Sequence, residues 1–351
     1  MLILNSKTYL IKYKDIISLL SYKVNEYFSN HPELIEKKHP INDKLFLRYL
    51  SSDEKFYKKI IIRQKDKERC LYEPNIEIKY IQKFILHSIL YKCIKKYNFT
   101  QNVTGFLKDT NILDNAHPHL NKIVIIKMDI KDFFPTITRT MIFNAFRRYN
   151  KFSYEYSYIL SKLVTFNNSL PQGAPTSPFL ANICAKGIDF KINKLLETIN
   201  KNNNLDIKYT RFADDITLSF DKKFNYDYII NIIYDIIISE GFFPNYKKTK
   251  VIKNSQCQKV TGIVVNHDEF RIEAKEIKKI DFILMIWNKY GISDAIKLWN
   301  KHQLGTIIID NPNKKQQFKD ILKGKISYFD MVNPNQSQKL KELFQENIIK
   351  S

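Results

Sequence analysis

The chain has 351 residues, 44% of them hydrophobic, which is enough to bury a substantial core in two or three domains. Lys and Arg outnumber Asp and Glu by 57 to 36, so the formal net charge is +21; this charge favours a polyanionic partner, although it can also serve solubility alone. The cysteines Cys70, Cys93, Cys184 and Cys257 are far apart and form no CxxC pair, which argues against a disulfide framework or a structural zinc and agrees with a reducing cytoplasm.

The first 60 residues are rich in lysine and are predicted to be helical, without a recognisable catalytic motif. The start, MLILNSKTYLIKYK, has a short apolar patch interrupted by charges and lacks a small-residue cleavage site, so we expect no signal peptide. The most apolar later stretch, Tyr228–Phe243, contains Asp235 and Glu240 and is shorter than the roughly 20 residues of a membrane span. It predicts a core helix, and we expect no membrane partner.

A basic loop or hairpin is predicted at Arg63–Pro74, which includes Lys65, Lys67 and Arg69. The helix that follows has apolar residues at steps of three and four, from Ile78 to Cys93, and lysines on its other faces. Such lysines are ordinarily a solvated face, and contact with phosphate is the alternative interpretation.

A buried strand is predicted over Lys122–Ile130, because it contains the apolar run Ile123–Ile126 and reaches Asp129 near its end. The loop Ser169–Pro178 comes later and is dense in turn residues. Ser177 and Pro178 resemble the N-cap and first position of a long helix, while Gln172-Gly173 would let backbone approach a bound chain closely. An ordinary junction between loop and helix is the alternative.

The stretch Tyr209–Phe220, YTRFADDITLSF, predicts two strands joined by a tight turn that carries Asp214 and Asp215. Acidic residues are poor strand formers, so their presence inside a hydrophobic hairpin suggests a metal site. Mg²⁺ prefers carboxylates together with substrate phosphates, and two ions can clamp the attacking and leaving oxygens of a phosphoryl transfer. Asp129 and Asp214, brought together on neighbouring strands, would form such a clamp; acids on solvated loops are the alternative.

Beyond the hairpin, Gly241–Lys250 predicts a turn with three lysines, and Gln258–Asn266 a strand with a bulge at Thr261-Gly262. Helices begin near Glu273, and one of them is predicted to stop at Gly291. With a boundary at 267–272, we predict three regions: an N-terminal helical region (1–60), a central catalytic region (61–266) and a C-terminal helical region (267–351).

These motifs, in this order, resemble those of reverse transcriptases, and more narrowly of retron reverse transcriptases. MDIKDFFPTI resembles the palm strand with the first metal-binding aspartate, and LPQGAPTSP resembles the loop that supports template and nucleotide. RFADDITLS resembles the catalytic hairpin, and GFFPNYKKT resembles the lysine-bearing loop that follows it. RxLxxP at Arg69–Pro74 and IKYIQ at Ile78–Gln82 resemble the fingers region of the bacterial enzymes. The matches span roughly residues 60–266, with a weaker similarity at Leu322–Phe329.

Two further motifs are associated with retron enzymes: NAxxH at Asn115–His119 and VTG at Val260-Thr261-Gly262. Asn115 and His119 would pack on the palm or touch RNA, and zinc is not expected at His117 and His119, because no cysteine is near. The VTG residues would contact the cognate RNA or turn a strand. One position departs from the family pattern: Phe212 replaces the usual Tyr, so a phenolic donor near the primer end is lost.

The resemblance implies an α+β fold with the right-hand polymerase architecture: fingers and a palm with an antiparallel sheet, followed by a helical thumb. It also implies RNA-directed DNA synthesis with two Mg²⁺ ions held by Asp129, Asp214 and the Ile130 carbonyl, with Asp215 as a weaker ligand or an orienting neighbour. Lys65 and Arg69 would bind the incoming triphosphate, and Phe134 would exclude a ribose 2′-hydroxyl unless it is a plain core aromatic. Lys248, or failing it Lys247, would protonate the leaving pyrophosphate, with a solvated turn lysine as the alternative.

The implied partners are dNTPs, an RNA–DNA hybrid and a structured noncoding RNA that is both template and primer and yields a branched RNA–DNA product. A separate effector protein in antiphage defence is implied as well. A group II intron-like or diversity-generating reverse transcriptase is one alternative, although the intron enzymes usually carry further regions for which 351 residues leave little room. A catalytically idle RNA-binding polymerase scaffold is another.

Overall fold

The computed structural model describes residues 6–34, 41–52, 54–64, 67–308 and 311–350. The N-terminal part is helical, as predicted, and leads into an antiparallel hairpin and a further helix. These elements are α1 (Ser6–Ser29), α2 (Asp43–Ser51), β1 (Tyr57–Gln64), β2 (Lys67–Pro74), α3 (Ile76–Phe84) and, after a π-helical turn at Ile85–Leu90, α4 (Ile94–Tyr97). The β1–β2 pairing confirms the hairpin interpretation of Arg63–Pro74.

The central part alternates helices with the strands of the main sheet. Its elements are α5 (Ile112–Ala116), β3 (Val124–Lys131), α6 (Phe133–Thr136), α7 (Arg139–Ala145), α8 (Tyr154–Val164), α9 (Ser177–Asn203), β4 (Lys208–Phe212), β5 (Asp215–Phe220), α10 (Tyr226–Ser239), β6 (Phe243–Pro244) and β7 (Lys250–Lys253). Within the described ranges, no helix is both long enough and apolar enough to cross a membrane.

The main sheet has five strands in the order β4-β5-β3-β6, and β7 also pairs with β3. Each of these pairings is antiparallel, so the fold class is α+β. Because side chains alternate across a strand, the sheet has two different faces. One face packs on α9 and α10 in the larger core, with Met128, Ile216 and Leu218 buried there.

The opposite face of the sheet carries Asp129 and Asp215, which are direct partners in the β3–β5 register. Nearer the start of β3, this face is covered: Ile125 belongs to a second core together with Ala116 and the C-terminal helices. The covered end and the acidic end therefore lie on one surface of the sheet.

The C-terminal part consists of a two-stranded hairpin and a helical bundle. Its elements are β8 (Lys259–Val260), β9 (Ile263–Val264), α11 (Ala274–Tyr290), α12 (Ile292–Lys301), α13 (Lys314–Val332) and α14 (Pro334–Lys350). Gly291, with φ of 91°, ends α11 as predicted. Val260 and Ile263 of the hairpin pack in the second core with Trp287, so hairpin and bundle share one interior.

Candidate active site

The β4–β5 turn and strand β3 bring three aspartates together at one end of the sheet. Ala213, with φ of 58°, takes the left-handed conformation that reverses the chain, and Asp214 and Asp215 follow it. The carbonyl of Asp214 accepts a hydrogen bond from the Ile130 backbone at 3.0 Å, while Asp129 lies directly opposite Asp215. The predicted strand-turn-strand and the predicted approach of Asp129 to the Asp214-Asp215 pair are both present.

The lysine-bearing loop after β6 completes this group. Asn245 donates to one carboxylate oxygen of Asp129 at 2.9 Å, and the Lys248 ammonium contacts the other. The backbone N–H of Asn245 also donates to the Asp129 carbonyl, at 2.8 Å. Lys248 is thus placed beside the acids, as the motif order implies.

Burial and mutual repulsion shape the electrostatics of the aspartate group. Burial raises the pKa of Asp214. The negative charges of Asp215 and Asp129 raise it further, and the positive charge of Lys248 lowers it. Burial likewise raises the pKa of Asp215, against the lowering effects of Lys127 and Lys248. A positive charge among these carboxylates would relieve their repulsion.

The donor set fits a hard divalent cation, because it consists of carboxylate oxygens. In this conformation the described residues contain no cluster of three or more acidic, histidine or cysteine side chains gathered as ligands around one point. Both oxygens of Asp129 are engaged by Asn245 and Lys248 instead. Each oxygen still has a lone pair free for a cation, and a cation bound there would compete with the Lys248 ammonium for Asp129.

A cluster of aromatic rings borders the acids. Phe134 is half-buried, with its ring centroid 5.6 Å from that of Phe133 and 6.1 Å from that of Phe106. Phe106 also lies 6.1 Å from Phe212, the residue that replaces the usual Tyr. Sequence reasoning missed Phe106. Its only signal there is that it follows a glycine in an otherwise polar stretch.

The backbone that carries Phe106 runs alongside β4. Arg211 donates its N–H to the Asn102 carbonyl at 2.8 Å, and Thr104 donates to the Arg211 carbonyl at 3.1 Å. Gly105 then passes so close to the turn between β4 and β5 that an added Cβ would lie 2.7 Å from the Ala213 nitrogen. This close approach explains why only glycine fits at position 105.

A buried polar network between β4 and α9 supports the turn that carries Asp214 and Asp215. Arg211 forms an ion pair with Asp189 of α9 and donates to the Ala213 carbonyl at 2.9 Å, and Tyr209 donates to Asp189 at 2.6 Å. Asn182, seven residues before Asp189 on the same helix, accepts from Arg211 at 3.0 Å and donates to the Gly105 carbonyl at 2.6 Å. Sequence reasoning missed this network; its signal is the seven-residue spacing of polar residues on a buried helix face.

The predicted loop around Gln172-Gly173 lies against the β1–β2 hairpin. The Gln172 carbonyl accepts from the Tyr72 N–H at 2.8 Å, and a Cβ at Gly173, where φ is 118°, would lie 3.1 Å from the Tyr72 carbonyl. The close approach that Gly173 permits is thus to the protein's own backbone. The predicted N-cap at Ser177 is off by one residue, since α9 begins at Ser177 and Thr176 is its N-cap.

The structure corrects the assignment of Asn115 and His119 as residues that contact nucleic acid. Both are buried, with 1% and 0% of their surface exposed. The two ring nitrogens of His119 bond to Ser219 at 2.7 Å and Thr210 at 2.9 Å, and Asn115 accepts from Thr104 at 2.8 Å. His119 fastens the turn after α5 to the sheet, and Asn115 joins α5 to the segment that runs alongside β4, which is the packing alternative.

Val260-Thr261-Gly262 forms a hairpin turn, and the predicted bulge is wrong. Thr261 and Gly262 both have positive φ, 46° and 88°, as a two-residue turn of type I′ requires. Val260 is fully buried in the second core, so its side chain packs in the protein interior, whereas Gly262 is exposed. Thr261 donates to the Ile112 carbonyl at 3.2 Å and so joins the turn to α5.

Of the two predicted triphosphate ligands, Lys65 lies outside the described residues. Arg69 is on β2, opposite Ile62 in the hairpin register.

Comparison with known proteins gives one consistent family. The family model described as "Reverse transcriptase (RNA-dependent DNA polymerase)" matches residues 58–265. The chain is 34% identical over 214 residues to the retron Ec86 reverse transcriptase of Escherichia coli, covering 60% of this chain and 63% of that protein. It is 33% identical over 221 residues to the retron Ec73 reverse transcriptase of the same species, covering 59% and 68%.

A third relative is the retron Se72 reverse transcriptase of Salmonella heidelberg, 28% identical over 246 residues, with 67% of this chain and 62% of that protein covered. The match thus spans somewhat less than two thirds of the Ec86 and Se72 enzymes. Reverse transcriptase domains generally use divalent metal ions, and the fold of this family is the right-hand polymerase fold. The family match, together with the aspartates joined by the β3–β5 pairing, shows that this chain belongs to the reverse transcriptases, and within them to the retron type.

Proposed function

We propose that the protein is an RNA-directed DNA polymerase that extends a primer by two-metal phosphoryl transfer. The observation that carries this proposal is the register of β3 and β5, which sets Asp129 against the Asp214-Asp215 turn in a chain of the reverse transcriptase family. Asp129 and Asp214, with the Ile130 carbonyl, would hold two Mg²⁺ ions, and Asp215 would assist or orient them. When bound, the two ions lower the pKa of the attacking 3′-hydroxyl and neutralise the pyrophosphate that leaves.

The remaining groups around the acids would select and position the nucleotide. Phe134 would pack against the sugar and exclude a 2′-hydroxyl, supported from behind by Phe133 and Phe106. Lys248 would leave Asp129 when the cations bind and would then be free to give a proton to the leaving pyrophosphate. Lys65 and Arg69 would bind the incoming triphosphate. Gln172 and Gly173 would act through the loop that supports template and nucleotide.

The C-terminal bundle would act as the thumb and lie against the RNA–DNA hybrid. One face of α11 exposes Phe282 and Met285 between lysines on either side. The members of this stripe are spaced by three or four residues: Lys275, Lys278, Phe282, Met285 and Lys289. Apolar side chains flanked by ammonium groups suit a duplex recognised by its shape and its phosphates.

The retron relatives suggest what the template is. By similarity to them, we propose that the cognate substrate is a structured noncoding RNA that supplies both the template and a priming 2′-hydroxyl. The product would be a branched RNA–DNA molecule, made in the cytoplasm and acting in antiphage defence with a separate effector protein.

Polymerase activity is tested by extension of a DNA primer annealed to an RNA template, with dNTPs and Mg²⁺. Wild-type protein should extend the primer, and Asp129→Asn and Asp214→Asn should abolish extension while they keep binding to the hybrid. Asp294→Asn, at an exposed ion pair in α12, is the matched control and should extend normally. Binding without extension by the wild-type protein would support the idle RNA-binding scaffold instead.

The retron assignment is tested by expressing the protein with about a kilobase of its native upstream DNA and running the extracted nucleic acid on a denaturing gel. A short DNA whose mobility shifts after RNase, and which is missing with Asp214→Asn, is the expected result. Extension of an added primer without this DNA would indicate a reverse transcriptase of another lineage, such as a group II intron-like or diversity-generating enzyme.

A further inference from the structure

Two lysines face each other across the sheet next to the catalytic acids. In the antiparallel pairing of β3 and β7, Lys127 is the direct partner of Lys250. Directly paired residues project from the same face, and Lys127 precedes Asp129 by two positions, so both lysines lie on the face that carries Asp129 and Asp215. Thr249, the neighbour of Lys250, points the other way and bonds to Tyr234 of α10 at 2.8 Å.

This arrangement is unfavourable for the free protein. Like charges directly opposite each other on neighbouring strands destabilise a sheet. Lys127 is half-buried and Lys250 is exposed, and among the described residues neither ammonium has an ion-pair partner. The charge of Lys127 is partly balanced by Asp215, whose pKa Lys127 lowers. Lys250 is not among the charges that shift the pKa of Asp215. An anion lying between the two ammonium groups would turn the repulsion into attraction.

We propose that Lys127 and Lys250 bind backbone phosphates of the primer strand just behind its growing end. Lys127 and Asp129 are separated by about 7 Å along the strand, at 3.3–3.4 Å per residue. A nucleic acid strand in a duplex carries a phosphate about every 3.4 Å along the helix axis, so the lysines reach phosphates within about two nucleotides of the metal site. The inference rests on the proposed polymerase function, since it assigns the lysines to the strand that is extended.

The test uses Lys127→Met, Lys250→Met and the double variant of the full-length protein, with a primed RNA template as the probe and no dNTP present. Lys253→Met is the matched control, because Lys253 is on the same strand but projects from the other face, opposite Val124. Binding is followed by fluorescence anisotropy over a range of salt concentrations. Thermal melting of the free proteins is measured in parallel.

Each single substitution should weaken binding several-fold and reduce the slope of log affinity against log salt by about 0.7–0.9. The double variant should reduce this slope by about twice as much. The melting temperature of free Lys250→Met should stay the same or rise, because the repulsion between the two lysines is removed, whereas Lys127→Met also loses the attraction between Lys127 and Asp215. Lys253→Met should bind with the wild-type slope. This opposite response of binding and stability separates a phosphate contact from a structural role.

Binding and salt slope of the double variant equal to wild type would overturn the inference while leaving the polymerase function intact. A fall in the melting temperature of Lys250→Met that accounts for its loss of binding would overturn the inference too. A change confined to the KM for dNTP would also overturn it, because it would assign the lysines to the triphosphate. Failure of the wild-type protein to bind the primed template at all would overturn the proposed function and this inference together.

Discussion

The guanidinium of Arg211 and the carboxylate of Asp189 form a bidentate ion pair in the interior, with both N···O distances at 2.7 Å. Neither side chain is more than 1% exposed. Because Arg211 also binds the Ala213 carbonyl, the pair connects the long helix α9 to the turn that carries Asp214 and Asp215. The geometry of the Asp214-Asp215 turn therefore depends on a charge pair that is buried in the protein interior.

Removing the carboxylate should be costly. Asp189→Asn leaves Arg211 charged and buried without a counter-ion, and loss of one partner of a buried pair typically costs about 3–5 kcal/mol. Urea denaturation measures this loss of unfolding free energy. Asp294→Asn, which breaks the exposed Lys297–Asp294 pair, should cost less than about 1 kcal/mol. Similar small losses in both variants would contradict a supporting role for Asp189.

Alanine should have opposite effects at two glycines. Gly105→Ala places a methyl group 2.7 Å from the Ala213 backbone, so the turn or the neighbouring segment must shift, and stability and primer extension should both fall. At Gly324, inside α13, an added Cβ meets nothing within 4 Å, and alanine should stabilise the helix by up to about 1 kcal/mol. Melting temperatures and extension rates of the two variants check this, and equal behaviour would show that the contact at Gly105 is easily relieved.

Acid should weaken the attachment of α5 to the sheet through His119. Thr210 donates to the Asn115 carbonyl at 3.3 Å, so its hydroxyl oxygen can accept from His119 Nε2 at 2.9 Å. When the ring is neutral, Nδ1 accepts from Ser219 at 2.7 Å. Burial lowers the pKa of His119 to about 3. Since the unfolded chain takes up this proton near pH 6.5, the stabilisation is complete above that pH and declines as pH falls toward 3.

The expected loss from pH 7 to pH 5 is about 2 kcal/mol of unfolding free energy. Urea denaturation at the two pH values measures it, and His119→Gln separates the contribution of His119 from that of other histidines. The variant should be less stable at pH 7 and should lose about 2 kcal/mol less than wild type on acidification. An identical pH dependence in both proteins would show that His119 does not carry the effect.

Divalent cations should stabilise the protein through the aspartates. Because folding raises the pKa of Asp214 and Asp215, their ionisation destabilises the folded state. This loss of stability begins as pH rises through the pKa values of the unfolded chain and is complete above the pKa values of the folded protein. Asp214→Asn with Asp215→Asn should therefore melt at a higher temperature than wild type in EDTA. Mg²⁺ at a hundred-fold excess over its Kd should stabilise the wild type by about 2.7 kcal/mol.

The same Mg²⁺ concentration should leave the melting temperature of the double variant almost unchanged. Calcium chloride at the same ionic strength, and sodium chloride, separate selective binding from general screening. An equal Mg²⁺ shift in wild type and variant would place the cation elsewhere on the protein.

Local pattern was enough to predict the centre of the site. Alternation of residue types around Ala213 defines two strands and a turn, and the apolar run before Asp129 defines a third strand. Both signals lie within about ten residues, the range over which side-chain periodicity is informative. The need of a metal site for several carboxylates predicted that Asp129 and Asp214 lie on neighbouring strands. The register could not be predicted, because it is not written in either strand alone.

What could not be predicted depends on contacts between distant segments. Asp189 and Arg211 are 22 residues apart, and Lys127 and Lys250 are joined only by the pairing of β3 with β7. His119 lies in a polar segment that suggests exposure, yet hydroxyl groups from two separate strands enclose its ring. Partners of this kind make burial of a polar side chain favourable, and the sequence near the residue does not reveal them.

Both tryptophans of the chain, Trp287 and Trp299, are buried in the second core with the C-terminal helices. Intrinsic tryptophan emission therefore reports on the bundle alone, whereas far-ultraviolet circular dichroism averages over every helix and strand. Following both signals through one denaturant titration would reveal whether the two cores unfold as a single cooperative unit. Separate midpoints would mean that the bundle can loosen while the sheet with its aspartates stays folded.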